Sequence, residues 1–159
     1  MQRTPIIAYV ALGSNLGDRR ANILNAIALL GESEGTKVLA ISSPLENPAV
    51  GGPEGSPPFL NAAVKIETTL AAHPLMNRLL EIEHQLGRVR RDKWEPRVID
   101  LDLLLHGDHI LSSQDLVVPH PLMHERRFVL QPLAEIAPEA VHPTLQMTIA
   151  GLLDNLSKK

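Results

Sequence analysis

The order of apolar patterns along the chain is the feature that most constrains its fold. Strands are predicted at residues 6–13, 36–43, 59–68 and 98–105, and helices at residues 19–31, with Asp18 as N-cap, and 73–87. Further helical patterns follow at residues 125–136, interrupted by Pro132, and 149–156. The order β-α-β-β-α-β predicts an α+β, ferredoxin-like fold. We expect an antiparallel sheet covered by helices on one face, with a helical C-terminal extension.

The composition narrows the class of protein. The 159 residues contain no repeat and no linker, so we expect a single domain over residues 1–159. The absence of cysteine excludes disulfides and thiolate catalysis. A net charge of −3 favours neither nucleic acid nor an anionic membrane as a partner. Without a membrane-length apolar run or a signal-peptide pattern, the expectation is a cytoplasmic protein. A monomer is expected because no sustained apolar edge is evident.

The last predicted strand carries two aspartates in an otherwise apolar run. Asp100 and Asp102 are two residues apart, so both side chains should point to the same face, about 6–7 Å apart. Like charges in such a place need a cation between them. Mg²⁺, which favours one or two carboxylates with waters and substrate phosphates, is one candidate. A structural network with nearby arginines is the alternative.

A basic segment directly precedes this strand. Its cationic side chains are Arg88, Arg90, Arg91, Lys93 and Arg97. Guanidinium groups suit phosphate oxygens, and Trp94 could close over a flat ligand. A solvated surface loop is the plainer interpretation, and a nucleic-acid patch is disfavoured because no extended basic stripe accompanies the segment.

Two phenylalanines and an amide form a third candidate group. Phe59 opens the third predicted strand, Asn61 lies on the same face of it, and Phe128 follows the sequence HERR. Two rings and an amide could sandwich a planar heterocycle and recognise its edge. Ordinary core packing ranks above this hypothesis on residue type alone. Residues 47–58, rich in glycine and proline, form a long loop of a kind that is usually functional or disordered.

Taken in order, several stretches resemble the blocks of one family over nearly the whole chain. They are YVALGSNLGD, FLNAAVKIET, GRVR, WEPRVIDLDLLLHG and VPHPLMHERRFVLQPLAEIAP. The family is 6-hydroxymethyl-7,8-dihydropterin pyrophosphokinase, and the most specific segment holds Pro96, Arg97, Asp100 and Asp102. The resemblance implies transfer of diphosphate from ATP to the hydroxymethyl group of a reduced pterin, with release of AMP, in folate biosynthesis.

The resemblance also implies a role for individual residues. Asp100 and Asp102 would hold two Mg²⁺ ions carried with ATP, and Arg88 and Arg97 would engage phosphates during the transfer. The pterin contacts would be Asn47, Pro48, Val50, Phe59, Asn61, Trp94 and Phe128. The ATP contacts would be Arg88, Arg90, Trp94, Arg97, His120 and Arg126. Residues 47–58 and 88–96 would act as lids over both substrates.

The chain departs from the family pattern in a few places. Glu95 replaces a small residue, Pro121 follows His120 where an aromatic residue often stands, and Asp115 occupies a position that is basic in some members. The loop between Arg88 and Trp94 is one residue shorter than in some members. These differences leave the ATP contacts and lid closure open. Two rival functions also remain: a palm-like nucleotidyltransferase that releases pyrophosphate, and a silent ligand-binding domain.

Overall fold

The computed structural model describes residues 4–47, 58–87 and 98–158. The larger elements of these ranges are β1 (Ile6–Ser14), α1 (Arg19–Gly31), β2 (Thr36–Ile41), β3 (Leu45–Asn47), β4 (Phe59–Thr68), α2 (Ala72–Gln85), β5 (Asp100–His106), α3 (Arg127–Ile136) and α4 (Ile149–Ser157). Two hairpins, β6 (Leu111–Ser112) with β7 (Val117–Val118) and β8 (Val141–His142) with β9 (Met147–Thr148), and a 3₁₀ turn (Met123–Glu125) complete the order.

Within the described ranges, the main sheet has five strands. Their order is β2-β4-β1-β5, and β3 pairs with β4 next to β2. All of these pairs are antiparallel. With β4 as the third main strand, this is the βαββαβ arrangement that the sequence predicts, so the ferredoxin-like fold is confirmed.

Helices cover both faces of the sheet, and not one face as the sequence suggests. The first core joins α1 and α2 to one face through residues such as Ile27, Leu79 and Leu103. The second core joins α3 and α4 to the opposite face through residues such as Leu130 and Leu152. The C-terminal extension therefore forms a second layer, because its apolar stripes need the face that the first two helices leave open.

Strand β4 lies between these two layers. The sequence alternation predicts one buried face, but Asn61, Ala62, Ala63 and Val64 are all buried in succession. A strand with helices on both faces is covered on both, so the prediction of a single buried face is wrong. The side chain of Asn61 is thereby placed in the interior.

Two helix predictions had different outcomes. The Asp18 side chain accepts a hydrogen bond from the Ala21 amide, which confirms the N-cap of α1. Pro132 does not interrupt α3, although it lacks the N–H of an ordinary helical residue. Pro132 and Leu133 are buried together, so packing offsets the missing hydrogen bond. The chain changes direction earlier, at Arg126, which is extended between the 3₁₀ turn and α3.

The strand prediction for residues 98–105 is shifted by about two residues, since β5 spans Asp100–His106. None of the helices in the described ranges has the length and apolar character needed to cross a membrane.

Candidate active site

The register of the central strands places three predicted site residues in two adjacent rows of paired residues. Gly13 of β1 lies opposite Asp100 on one side and opposite Asn61 of β4 on the other. One pair further along, Ala11 lies opposite both Asp102 and Ala63. Directly paired residues of an antiparallel sheet point to the same face. Asp100, Asn61 and Asp102 therefore share one face of the sheet.

This face is the one that α3 covers. Ala63, which is in the row of Asp102, belongs to the core of α3 and α4. Asp100 and Asp102 are each half-buried, and each interacts with other groups of the protein. The prediction that Asp100 and Asp102 lie on one face of the strand is confirmed. The first residues of β5 are less buried than its apolar sequence suggests.

The neighbourhood of Asn61 combines close packing with an unsatisfied polar atom. Asn61 is 9% exposed, and its Oδ1 finds no hydrogen-bond partner in the described part of the chain. A Cβ added to Gly13 would lie 3.0 Å from Asn61 Nδ2 and 3.4 Å from a ring carbon of Phe59. Glycine at this position therefore lets the amide and the ring approach the strand. Unsatisfied buried acceptors are rare in native proteins and need an explanation, and a ligand that donates a hydrogen bond would provide one.

Strand β3 adds a residue beside Phe59. Asn47 pairs with Phe59, so both lie on the face that carries Asn61. Of the predicted pterin contacts, these three and Phe128 fall within the described residues. Phe128 is half-buried against the core of α3 and α4.

The segment before α3 places further predicted residues next to β5. The His120 amide donates to the Leu104 carbonyl of β5 at 3.0 Å. Arg126 directly precedes α3, and its guanidinium carbon lies 5.8 Å from the centroid of the Phe128 ring. This is within the range of a cation–π contact. The start of α3 thus presents a cation and an aromatic ring together.

The electrostatic environment keeps His120 neutral near pH 7. Burial, together with the positive charge of Arg126, lowers the pKa of His120 to about 4, and the charge of Asp100 acts in the opposite direction. The His120 Nδ1 atom lies 3.2 Å from the Leu122 amide, which donates to it. The neutral ring therefore carries its proton on Nε2, where it can donate a hydrogen bond.

A residue that the sequence interpretation missed supports β5 from the other layer. Glu83 of α2 is 4% exposed, and its Oε2 accepts the Leu101 amide proton at 2.7 Å. The signal was present, because Glu83 follows Leu79 by four residues and so falls on the apolar side of the helix.

Several predicted residues lie outside the described residues. They are Pro48, Val50, Arg88, Arg90, Trp94 and Arg97, and Glu95 lies there as well. Another departure from the family pattern is described: Asp115 contacts His73 at 3.2 Å and Ser113 at 3.0 Å, on the surface. The His73 contact lowers the pKa of Asp115, followed by the hydrogen bond from Ser113.

The donor set of the carboxylate pair suits a magnesium ion. Two carboxylates on one face supply hard oxygen ligands, and the described ranges contain no group of three or more metal-ligating side chains. Mg²⁺ commonly takes one or two protein carboxylates and completes its shell with water and substrate phosphates. Asp100 and Asp102 therefore fit an ion that arrives with a nucleotide, and among the described residues no closed protein cage surrounds them.

Fold and site together define a ferredoxin-like α+β protein whose carboxylate pair and amide share a sheet face suited to a phosphorylated ligand. The family model for 7,8-dihydro-6-hydroxymethylpterin-pyrophosphokinase matches residues 9–138. The chain therefore belongs to this family, and it is an enzyme of the pyrophosphokinase class.

Curated relatives agree with this assignment. A 2-amino-4-hydroxy-6-hydroxymethyldihydropteridine pyrophosphokinase of Bacillus subtilis is 47% identical over 130 residues, which cover 82% of this chain and 77% of that protein. The protein of the same name from Methylorubrum extorquens is 46% identical over 134 residues, covering 84% of each chain. These matches support a pyrophosphokinase role in folate synthesis.

Solved structures support the fold. A Plasmodium falciparum HPPK-DHPS A437G structure with SDX-DHP superposes with a TM-score of 0.75 and 16% identity. The match covers 98% of this chain and 46% of that chain, so this chain spans less than half of the solved protein. At this identity the likeness concerns the fold alone.

Proposed function

We propose that the chain transfers the β,γ-diphosphate of ATP to the hydroxymethyl group of 6-hydroxymethyl-7,8-dihydropterin, with AMP as the second product. The observation that carries the proposal is the row of Asp100, Gly13 and Asn61 on one sheet face. In this row a carboxylate that suits a cation and a buried amide that suits a heterocycle are separated by two strand spacings, or about 10 Å. Membership of the pyrophosphokinase family supports this combination.

Asn61 and the aromatic residues would bind the pterin. The unpartnered Asn61 Oδ1 would accept a hydrogen bond from an N–H on the edge of the ring. Phe59 would contact one face of the ring and Phe128 the other. From the resemblance, the pterin set also includes Asn47, which pairs with Phe59, as well as Pro48, Val50 and Trp94.

Asp100 and Asp102 would hold the magnesium that ATP brings, and we propose two ions. When bound, such ions neutralise phosphate charge and lower the pKa of the pterin hydroxyl. The half-buried position of both carboxylates restricts their rotamers, so they would hold this end of the site in a fixed geometry.

The remaining cationic and polar residues would bind the nucleotide. His120 is neutral near pH 7, and its Nε2–H could donate to a phosphate or ribose oxygen. Arg126 would supply positive charge next to it. From the resemblance we add Arg88, Arg90, Trp94 and Arg97, with Arg88 and Arg97 acting on the transferred phosphates.

The reaction would be one in-line displacement. The pterin hydroxyl loses its proton to solvent, and its oxygen bonds to the β-phosphorus as the bond from the β-phosphorus to the oxygen shared with the α-phosphorus breaks. AMP leaves with that oxygen. Phosphoryl transfers of this kind depend on positioning and charge stabilisation. The chain would accordingly contribute orientation and electrostatics and no covalent intermediate. We further propose a single pyrophosphokinase domain over residues 1–159 that acts as a cytoplasmic monomer.

Identification of the phosphorus products by ³¹P NMR tests the proposal. With ATP, Mg²⁺ and 6-hydroxymethyl-7,8-dihydropterin, we expect equal amounts of AMP and pterin diphosphate. Pyrophosphate release would indicate a nucleotidyltransferase instead. Absence of Mg²⁺-dependent ATP turnover would indicate a ligand-binding domain, and both results would reject the proposal.

A further inference from the structure

Glu83 is an unusual residue for its position in α2. The side chain is 4% exposed, in a helix whose neighbouring residues Leu79 and Ile82 are fully buried. Carboxylates are almost never so buried unless they are hydrogen-bonded or paired, because loss of hydration is costly. The burial of Glu83 therefore calls for a specific role of its carboxylate.

The hydrogen bond of Glu83 reaches the outer edge of the main sheet. Strand β5 is the last strand in the order, and in the part of the chain that the structure describes it pairs with β1 alone within that sheet. Alternate amides of such a strand point away from its neighbour and need other partners. The Leu101 amide is one of these, and it donates to Glu83 Oε2 at 2.7 Å. The short distance is typical of a charge-assisted hydrogen bond.

The position of Leu101 links this bond to the candidate site. Leu101 lies between Asp100 and Asp102, and its own side chain is buried in the core on the α1 and α2 side. The peptide groups on either side of Leu101 set the directions in which both aspartates leave the strand. Rotation or slippage there would turn the carboxylates away from a shared point.

We propose that Glu83 is a positioning residue: its carboxylate holds the Leu101 amide and thereby fixes the separation and direction of the Asp100 and Asp102 carboxylates. The expected effect of Glu83 on catalysis rests on the proposed function. Its effect on the Leu101 amide is a property of the protein without ligand and does not. Glu83 has further partners in the protein, so its test must separate the hydrogen bond from the negative charge.

Three variants make this separation. Glu83→Gln removes the charge and keeps an oxygen that can accept from the Leu101 amide. Glu83→Leu keeps the approximate volume and removes the acceptor. Glu81→Gln is the matched control, because Glu81 is an exposed glutamate on the same helix that contacts Arg78 at 3.4 Å.

We expect the kinetic effects to appear in kcat and in the Mg²⁺ dependence. For Glu83→Leu, kcat falls on the order of 10²-fold, since misplacement of reacting groups by about 1 Å can cost that much. The Mg²⁺ concentration for half-maximal rate rises roughly tenfold, and the KM for the pterin changes less than about twofold. Glu83→Gln recovers most of the lost rate, and Glu81→Gln matches the parent. A folded Glu83→Leu protein with parental kcat and Mg²⁺ dependence would overturn the proposal.

Amide NMR of the metal-free protein gives a readout that does not depend on catalysis. The Leu101 amide proton should exchange slowly and resonate downfield in the parent, as expected for a short bond to a carboxylate. In Glu83→Gln it should move upfield and exchange roughly tenfold faster, because a neutral acceptor binds it less strongly. This measurement decides the question if Glu83→Leu does not fold. An unchanged Leu101 amide in Glu83→Gln would overturn the proposal.

Two further outcomes are distinguishable. Loss of activity in Glu83→Gln equal to that in Glu83→Leu would show that the charge matters and the hydrogen bond does not, which overturns positioning. A parent protein that makes no pterin diphosphate would reject the proposed function, while the Leu101 amide would still decide the role of Glu83.

Discussion

The two ends of the central strands differ in whether their buried polar atoms have hydrogen-bond partners. At the end away from the candidate site, the hydroxyl oxygens of Thr36 and Thr68 are 2.7 Å apart. His106 Nε2 donates to the Leu70 carbonyl at 2.9 Å, and the Nδ1 atoms of His106 and His109 are 2.8 Å apart. The polar atoms of this far end are satisfied by one another.

The site end of the same strands is arranged otherwise. Asn61 Oδ1 is buried without a partner, and the half-buried Asp100 and Asp102 lie on its face of the sheet. An unsatisfied buried acceptor costs about 1–3 kcal/mol. Under the proposed function, the pterin would make the missing bond and offset this cost.

From this difference we expect the far end of the sheet to serve stability and, under the proposed function, the site end to serve ligand binding. Substitutions at the site end should lower activity with little loss of stability. Substitutions at the far end should lower stability with little loss of activity.

The largest effect is expected for the carboxylate pair. Asp100→Ala or Asp102→Ala should lower kcat by at least about 10³-fold, because the proposed metal site would lose one of its two carboxylates. The urea midpoint should stay close to that of the parent. Steady-state kinetics at saturating Mg²⁺ are the measurement, and activity within tenfold of the parent would reject the metal assignment.

Asn61→Leu should separate binding from stability most clearly. The KM for the pterin should rise roughly 10–100-fold, since one hydrogen bond to the ring is lost. Stability should stay equal or increase, because an unsatisfied buried oxygen is removed. Kinetics and urea denaturation of the same preparation test both statements, and a large loss of stability with an unchanged KM would reverse the comparison.

His106→Leu should give the opposite pattern at the far end. The Leu70 carbonyl and His109 lose their partner, so the free energy of unfolding should fall by about 1–3 kcal/mol. The kcat of the folded variant should equal that of the parent. A variant of parental stability but lower kcat would show that the two ends are not independent.

The smallest effect is a pH dependence of stability at the far end. Burial, assisted by the charge of His109, lowers the pKa of His106. As the pH falls below about 6.5, the unfolded chain binds a proton that folded His106 resists, so stability decreases. Urea midpoints between pH 7.5 and 5.5 should fall in the parent and fall less in His106→Gln. Burial also lowers the pKa of His142 and that of His120, the latter to about 4, so part of the slope should remain. Equal slopes in both proteins would contradict the assignment.

Sequence patterns predicted much of the fold, because the regular spacing of apolar residues reflects local helix and strand geometry. The main strands, the Asp18 cap and the shared face of Asp100 and Asp102 all follow from spacing along the chain. Strands of two or three residues, such as β3 and the hairpins, carry too few positions for a period to appear. Pro132 was misinterpreted because tertiary packing outweighed its local preference.

Long-range contacts set the rest of the candidate site. The burial of Asn61 depends on α3, which is about 65 residues later in the chain. The hydrogen bond from Leu101 to Glu83 joins β5 to α2 and links residues that are 18 positions apart in the sequence. For Asn61 the residue type is the local signal, and for Glu83 it is the position on the apolar side of α2, which indicates burial and does not identify the partner. Resemblance to the family supplied the role of Asn61, and nothing in the sequence interpretation supplied that of Glu83.

A crystal structure with Mg²⁺, a non-hydrolysable ATP analogue and 6-hydroxymethylpterin tests the central claim most directly. We predict magnesium at about 2.0–2.1 Å from carboxylate oxygens of Asp100 and Asp102. The pterin edge should lie within hydrogen-bond distance of Asn61 Oδ1. Carboxylates bound only by guanidinium groups, with no ion between them, would contradict the account.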